Sequence, residues 1–440
     1  MFSKKTFLAL TGSLLATSAV LGVVWQQGAS SQAYGKVIAD QPVTVVADAN
    51  GETILMTKPT QKQMNHFAAM LDTQPELAGD KVKTDAILGI DALSLKDGEK
   101  QNKSLKHKVI KVKGSEHTQA FSFDLYSVET DSGTTYVQDK ATAYPLLIPN
   151  PKQKDLFVFE HNYVLYLFNA KTQDVTPIGD LSQYTELRGH LNELEQKHNA
   201  DATPGEDHSH VEIRWASVPV WSADGKSIAY ITNRDQVENS PAHISLFVYD
   251  LKSGEETKIY ESSGHSMFKL VGWSKDGQVL VQTYENMATP DEGTALAAID
   301  PATKEAATLV EDFEYAGQSD DHKTILYTQG SHEAIKVYAL DLTSKEKSLV
   351  FQGDENNTLR SYTFDFSADN QRIVTDLTDK ELALKVLTYD LAQKQSKVLD
   401  LPKNHVLSDN VKWADDKLVV PVENLKDLTS QTLLMSVDEE

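Results

Sequence analysis

The sequence predicts an all-β fold, a β-propeller of four-stranded antiparallel blades closed into a ring. Three observations carry that expectation. A short apolar strand ending in an acidic turn, with an aromatic before the turn in most copies, returns five times in the C-terminal half, at steps of 45–52 residues. Each copy is followed by an alternating apolar strand, and later by a third strand that ends in aspartate. A unit of that period and pattern is one supersecondary element that cannot bury both faces alone and must stack on its neighbours.

The turn copies are Val220-Trp221-Ser222-Ala223-Asp224-Gly225, Gly272-Trp273-Ser274-Lys275-Asp276-Gly277, Gly317-Gln318-Ser319-Asp320-Asp321-His322, Asp365-Phe366-Ser367-Ala368-Asp369-Asn370 and Lys412-Trp413-Ala414-Asp415-Asp416. Asp followed by Gly or Asn supplies the side-chain cap and the left-handed backbone of a tight turn. Asp224, Gly225, Asp276, Gly277, Asp321, Asp369 and Asp416 are therefore structural. The large aromatics Trp221, Trp273, Phe366 and Trp413 are expected to pack between neighbouring sheets. The third strands, such as Leu246–Asp250 and Val386–Asp390, lead into a polar turn and usually a fourth strand.

The string from Trp221 to Tyr230 resembles the repeat of TolB-type propellers, relatives of the WD-type repeat, and the resemblance covers about residues 215–440. A degenerate sixth copy precedes it, with strands at Tyr144–Ile148, Leu156–Phe159, Tyr163–Phe168 and Asp174–Ile178. Six blades are the first expectation, and seven if Lys106–Lys140 forms a blade of its own. The last repeat has three strands before Glu440, so an N-terminal strand should supply the fourth, because open edges are avoided. The candidates are Val43–Val46, in a hairpin with Thr53–Met56, and the strands His107–Lys113 and Ala120–Tyr126. Gln61–Asp72 carries Met64, Phe67 and Leu71 at helical spacing and reads as a short packing helix at the ring's edge. Asp80–Lys103 reads as loop or weak structure. The chain thus divides into residues 1–33, an N-terminal segment of 34–142 that closes the ring or forms a degenerate blade, and a propeller at 143–440 with an insertion at 179–214.

The 440 residues hold 64 acidic and 42 basic side chains, a formal net charge of −22, and no cysteine. Such a surface repels phosphate backbones and anionic lipid headgroups, which excludes nucleic acid as a partner class. The lack of cysteine excludes disulfide staples, thiolate metal sites and the lipidated cysteine of a lipoprotein. Lys4 and Lys5 precede an uncharged stretch from Phe7 to Trp25 and the small-residue segment Ser31-Gln32-Ala33. That is the pattern of a secretory signal, or of a membrane anchor helix if it is retained. Either way the rest of the chain is expected to be extracytoplasmic, touching a membrane only through an uncleaved N-terminal segment.

Loop geometry sorts the candidate sites. The Asp-Gly turns share one end of the ring, while Thr232–His243, Glu261–Met267, Glu285–Gly293 and the insertion 179–214 leave from the other, where binding is usually placed. Four of the 13 histidines fall between His190 and His210. Glu206, His208, His210 and Glu212 alternate, so an extended backbone projects all four to one side. With His190 nearby, they are candidate ligands for a divalent metal such as zinc or manganese. The bland reading is a solvated polar excursion. No phosphate-binding loop, zinc-protease helix, nucleophile elbow or calcium loop is present, so no catalytic residue is assigned. The functional expectation is an extracytoplasmic binding module for an envelope protein, peptide or glycan. The alternatives are a metal-assisted propeller enzyme, lyase-like or lactonase-like as the resemblance implies, and a membrane-tethered sensor domain.

Overall fold

The computed structural model describes residues 36–437, apart from 50–51, 98, 116–117, 141–142, 182–213, 236–243, 263–265, 286–292, 331–333, 355–356, 361 and 380–383. Eight antiparallel sheets follow one another around a closed β-propeller ring. Blade 1 spans 43–103, blade 2 106–137, blade 3 148–177, blade 4 216–261, blade 5 267–311, blade 6 314–352, blade 7 358–400 and blade 8 405–436. First strands of successive blades lie against one another, as Ala216–Trp221 does against Met267–Trp273, which puts the first strand on the inside of the ring. Mixed apolar clusters fill each gap between blades. In one of them Trp273, Phe268 and Val281 of blade 5 meet Ala229 and Leu246 of blade 4.

The count of eight corrects the expectation of six or seven. The two additional blades lie in the N-terminal segment and lack the Trp and Asp-Gly marker, so the repeat does not register there. Blade 1 is also interrupted. Between its second strand, Glu52–Thr57, and its third, Ala92–Lys96, it inserts two helices, α1 (Gln61–Leu71) and α2 (Lys81–Leu88). The Asp80–Lys103 stretch is therefore a helix and two strands rather than loop. Its polarity reflects an outer strand, Glu99–Lys103, that is almost wholly exposed. Helix α1 starts from a capping box in which Thr60 and Gln63 exchange hydrogen bonds, but none of its residues is buried, so it is not the packing element expected. Helix α2 is tied down by Asp85, which accepts hydrogen bonds from Tyr126 Oη of blade 2 and from Lys81 Nζ, each at 2.6 Å. Burial and the Asp85 carboxylate push the Tyr126 phenol well above its ordinary pKa.

Closure is achieved by Lys36–Ala39, which pairs antiparallel with Thr429–Ser436 as the outermost strand of blade 8. None of the strands proposed for closure does this. Val43–Ala49 and Glu52–Thr57 do form the expected hairpin, but as the two inner strands of blade 1. Residues 1–35, with the apolar segment, lie outside the described residues. Among those described, no helix is long and apolar enough to cross a membrane.

The repeat residues do two jobs. In the turns, Asp224 accepts from Ser222 Oγ at 2.8 Å and Lys226 N at 3.1 Å, and Asp369 from Ser367 Oγ at 2.5 Å and Gln371 N at 3.0 Å. Asp321 repeats the arrangement with Ser319 and Lys323. Gly225, Gly277, His322, Asn370 and Asp415 take the left-handed conformation, with φ of 69°, 84°, 58°, 58° and 58°. Burial alone would raise the Asp224 carboxyl, but these hydrogen bonds and Lys226 outweigh it and hold the group below its usual range.

The second job, at four of the junctions, is to hold neighbouring blades together. Trp221 Nε1 donates to Ile148 O, and Trp273 Nε1 to Val220 O, both at 3.0 Å. In blade 6, where glutamine replaces the aromatic, Gln318 Nε2 donates to Trp273 O at 2.5 Å, and His322 Nδ1 reaches the same oxygen at 3.0 Å. Gly272 leaves room for that glutamine, since a Cβ there would stand 2.2 Å from its Oε1. At blade 8 the link changes form. The Asp365 carboxylate of blade 7 accepts from Trp413 N at 2.8 Å and Lys412 Nζ at 3.0 Å, while Trp413 Nε1, buried under the Arg372 guanidinium, has no acceptor among the described residues.

That difference gives a direct test. Trp221→Phe should lower stability by about 1 kcal/mol more than Trp413→Phe, because only the first removes the donor from a partly buried carbonyl. Urea unfolding midpoints of the two variants measure it, and equal losses would show that the indole N–H contributes nothing.

Candidate functional site

The two ends of the ring differ. At the turn end, hydrogen bonds run from blade to blade: Asn150 Nδ2 to Gly225 O at 2.8 Å, Lys275 N to His322 O at 3.1 Å, and Asp320 N to Asn370 Oδ1 at 2.9 Å. This end is stitched together by its own short turns. At the opposite end lie the second-to-third-strand loops, the connections between blades and the helical insertion of blade 1. The sequence-based sorting of loops between the two ends therefore agrees with the strand directions.

The inner strands are interrupted where they face the axis. Pairing slips between Ser217 and Val220, Leu270 and Gly272, and Tyr315 and Gly317. Such bulges re-aim side chains and free backbone groups. Val218 takes a φ of 54° inside the first of them and is 44% exposed, a conformation that a β-branched residue rarely adopts. Polar side chains bridge to the neighbouring blade there, and one of them meets a backbone N–H. Gln282, fully buried, accepts from Tyr315 N at 3.2 Å and donates to Glu314 at 2.8 Å, and Ser217 Oγ donates to Glu160 at 2.5 Å.

In blades 7 and 8 the interruptions widen, from Leu359 to Asp365 and from Leu407 to Lys412. They carry a chain of alternating charge across three blades. Lys58 Nζ of blade 1 donates to Asp409 of blade 8 at 2.6 Å, the Arg360 guanidinium of blade 7 adds its charge to the same carboxylate, and Arg360 Nη1 reaches Asp376 at 3.2 Å. The Asp376 side chain is 2% exposed, whereas that of Arg360 is 35% exposed and the neighbouring Tyr362 is 47% exposed. Burial would raise the Asp409 carboxyl, but the Lys58 hydrogen bond, the Asn410 N–H and the two cations hold it below the carboxylate range. Chemically this wall can exchange ion pairs with a charged ligand: Arg360 engages Asp376 through Nη1 and its side chain stays partly exposed. Sequence reasoning missed Arg360 and Asp409, although a charged residue within a stretch otherwise fit for an inner strand was a visible signal.

The proposed metal ligands His190, Glu206, His208, His210 and Glu212 all lie outside the described residues. Among the described residues no group of three or more histidine or acidic side chains is placed to hold a metal ion. The root of the insertion that carries them is fixed. Arg234, 6% exposed, pairs with Glu256 through both guanidinium nitrogens at 3.1 and 2.8 Å and lies 4.3 Å from the centre of the Phe247 ring. Gly179 packs against this pair with a φ of 86°, and a Cβ there would approach Arg234 Nη1 and Glu256 Oε1 to 2.8 Å. Trp221, Trp273 and Trp413 are 3–5% exposed between blades, and Phe366 is partly buried in the same position. Asp276 and Asp416 occupy their turns.

No family model matches this chain, and no curated protein sequence does. Solved structures with a similar course of the chain include TolB from Acinetobacter baumannii, 14% identical over 66% of this chain and 78% of that one, with a TM-score of 0.30. They also include an oligogalacturonate lyase from Vibrio parahaemolyticus, 10% identical over 76% and 96%, with a TM-score of 0.43. An oligogalacturonate lyase in complex with manganese is 11% identical over 92% and 99%, with a TM-score of 0.45. The propeller rests on the sheets themselves and not on these likenesses.

The Lys58–Asp409 link makes stability depend on pH with a defined sign. A carboxyl held below its unfolded pKa contributes stability above that value and loses it as pH falls through the folded one. Asp409→Asn should therefore be less stable than the parent at pH 7, and the gap should close below about pH 4, near the unfolded aspartate pKa. Urea midpoints across a pH series read the gap, and a gap independent of pH would remove the ion pair from the account.

Proposed function

We propose that this chain is an extracytoplasmic binding module of the bacterial cell envelope that engages a protein, peptide or glycan partner at the loop end of its ring. The observation that carries this reading is the asymmetry of the two ends: one is consumed by turn-to-turn hydrogen bonds, and the other is where the strands leading into the long excursions end, beside a charged inner wall. Binding residues sit on loops held by a rigid scaffold because the scaffold has already met the entropic cost of positioning them. The extracytoplasmic placement rests on the Lys4-Lys5 pair, the apolar stretch that follows and the Ser31-Gln32-Ala33 segment. Arg360 and Tyr362 on the inner wall, and Tyr163 at the tip of a blade 3 hairpin, are the side chains a partner would meet. Tyr163 is 49% exposed.

Photo-crosslinking in intact cells tests it. A photoreactive side chain at Tyr163 or Tyr362 should capture a discrete envelope partner, while the same probe at Lys275, on the turn end, should not. Adding Arg360→Glu should cut the yield at Tyr362 several-fold. Capture of the same species at Lys275 alone would put the working surface at the wrong end.

A further inference from the structure

Blade 2 departs from the rest of the ring. Among the described residues it has three strands, Lys106–Val112, Phe121–Thr130 and Gly133–Val137, where the other blades have four or five. Its direction is reversed as well. Two residues, Ser104 and Leu105, join the outer strand of blade 1 to Lys106, and Gly133–Val137 lies beside Val43–Ala49, the inner strand of blade 1. The vacant fourth position is therefore the outermost one, along the free edge of Lys106–Val112. A free edge presents a row of backbone donors and acceptors that templates another strand.

The charge at this edge is inverted relative to the chain. From Lys96 to Lys113 there are seven lysines against two acids, Asp97 and Glu99, in a protein of net charge −22. Lys106 is paired with Glu129 and His107 with Asp124. Lys108, Lys111 and Lys113 are exposed and make no ion pair among the described residues. Val109, on the same edge, is 46% exposed, while Ile110 anchors the strand in the core at 3%. We infer that this edge accepts an extended acidic segment of a partner protein, which adds to blade 2 as its fourth strand through main-chain hydrogen bonds, with alternate carboxylates facing Lys111 and Lys113, which share the face of Val109. A second copy of the same edge is disfavoured, because it would set lysine against lysine. Lysine on an edge strand repels a basic strand and attracts an acidic one by the same charge. This surface is separate from the loop end, and its test does not depend on that reading.

The probe is a fluorescent octapeptide of alternating threonine and glutamate, titrated against the whole chain and followed by anisotropy. Saturable binding is expected. It should weaken at least about tenfold when Lys111 and Lys113 are both changed to Glu, each charge reversal supplying part of that factor. N-methylation of alternate amides of the peptide leaves its charge intact and should abolish binding, because the main-chain ladder cannot form. Equal binding of the methylated peptide, or equal competition by a sulfated polysaccharide or anionic lipid vesicles, would reduce the edge to a non-specific basic patch and overturn the proposal. So would absence of binding to the unmodified peptide.

Discussion

Everything in this ring depends on each blade being held to the one before it at the inner strand. A four-stranded sheet cannot bury both faces alone, and stacking sheets radially leaves their inner strands close enough to exchange hydrogen bonds. The indole N–H groups of Trp221 and Trp273 use that closeness by donating to the inner-strand carbonyl of the preceding blade. Gln318 makes the same link without an aromatic, and Asp365 makes it with a carboxylate aimed at Trp413 N. At these four junctions the bond across the gap is kept while the side chain that supplies it varies; in blade 7 Phe366 has no polar atom to make it. A carbonyl buried without its donor would cost about 1–3 kcal/mol, a large share of the stability of any folded chain.

Fixing the inner strands in this way divides the molecule. The short hairpins at one end approach so closely that they bond to one another, as Asn150 does to Gly225. Their aspartates are committed to the turns and have little left to offer a ligand. At the other end the sequence between successive strands is longer, and the inner strands carry bulges. The charged chain from Lys58 to Asp376 joins blades 1, 8 and 7 across the seam where the ring closes. It ties the seam and lines the wall at once, so a charged partner entering there would compete with contacts that also support closure.

The repeat was legible in the sequence because its turn chemistry is local: Asp224 and Gly225 need nothing beyond their own hairpin to be read. The packing of Trp221, Trp273 and Trp413 between sheets was legible for the same reason. Blade 2 was legible only as the alternative in which Lys106–Lys140 forms its own blade, and blade 1 only as its first hairpin, since neither has the aromatic marker and their strands pair in a pattern broken by 34 residues of helical insertion, from 58 to 91, or by reversal of direction. The closing strand Lys36–Ala39 was hidden by its shortness, four residues that become a strand only because Thr429–Ser436 offers them an edge. Of the candidate site, the loop end could be inferred from strand counting alone. Arg360 and Asp409 could not be joined on paper, because their proximity is created by two separate interruptions in different blades. The histidine-rich insertion, the loudest local signal in the sequence, lies outside the described residues.

The central claim is that the ring holds together through links between neighbouring blades, completed by one N-terminal strand. Replacing Lys36–Ala39 with four glycines in the otherwise intact chain removes the side chains of that strand, among them Ile38, which is 3% exposed in the seam. Hydrogen exchange followed by mass spectrometry should then show faster exchange across Thr429–Ser436 and blade 1, with a lowered urea midpoint for the whole chain. Unchanged protection of Thr429–Ser436 with an unchanged midpoint would contradict the account, because the ring would be stable without its closure.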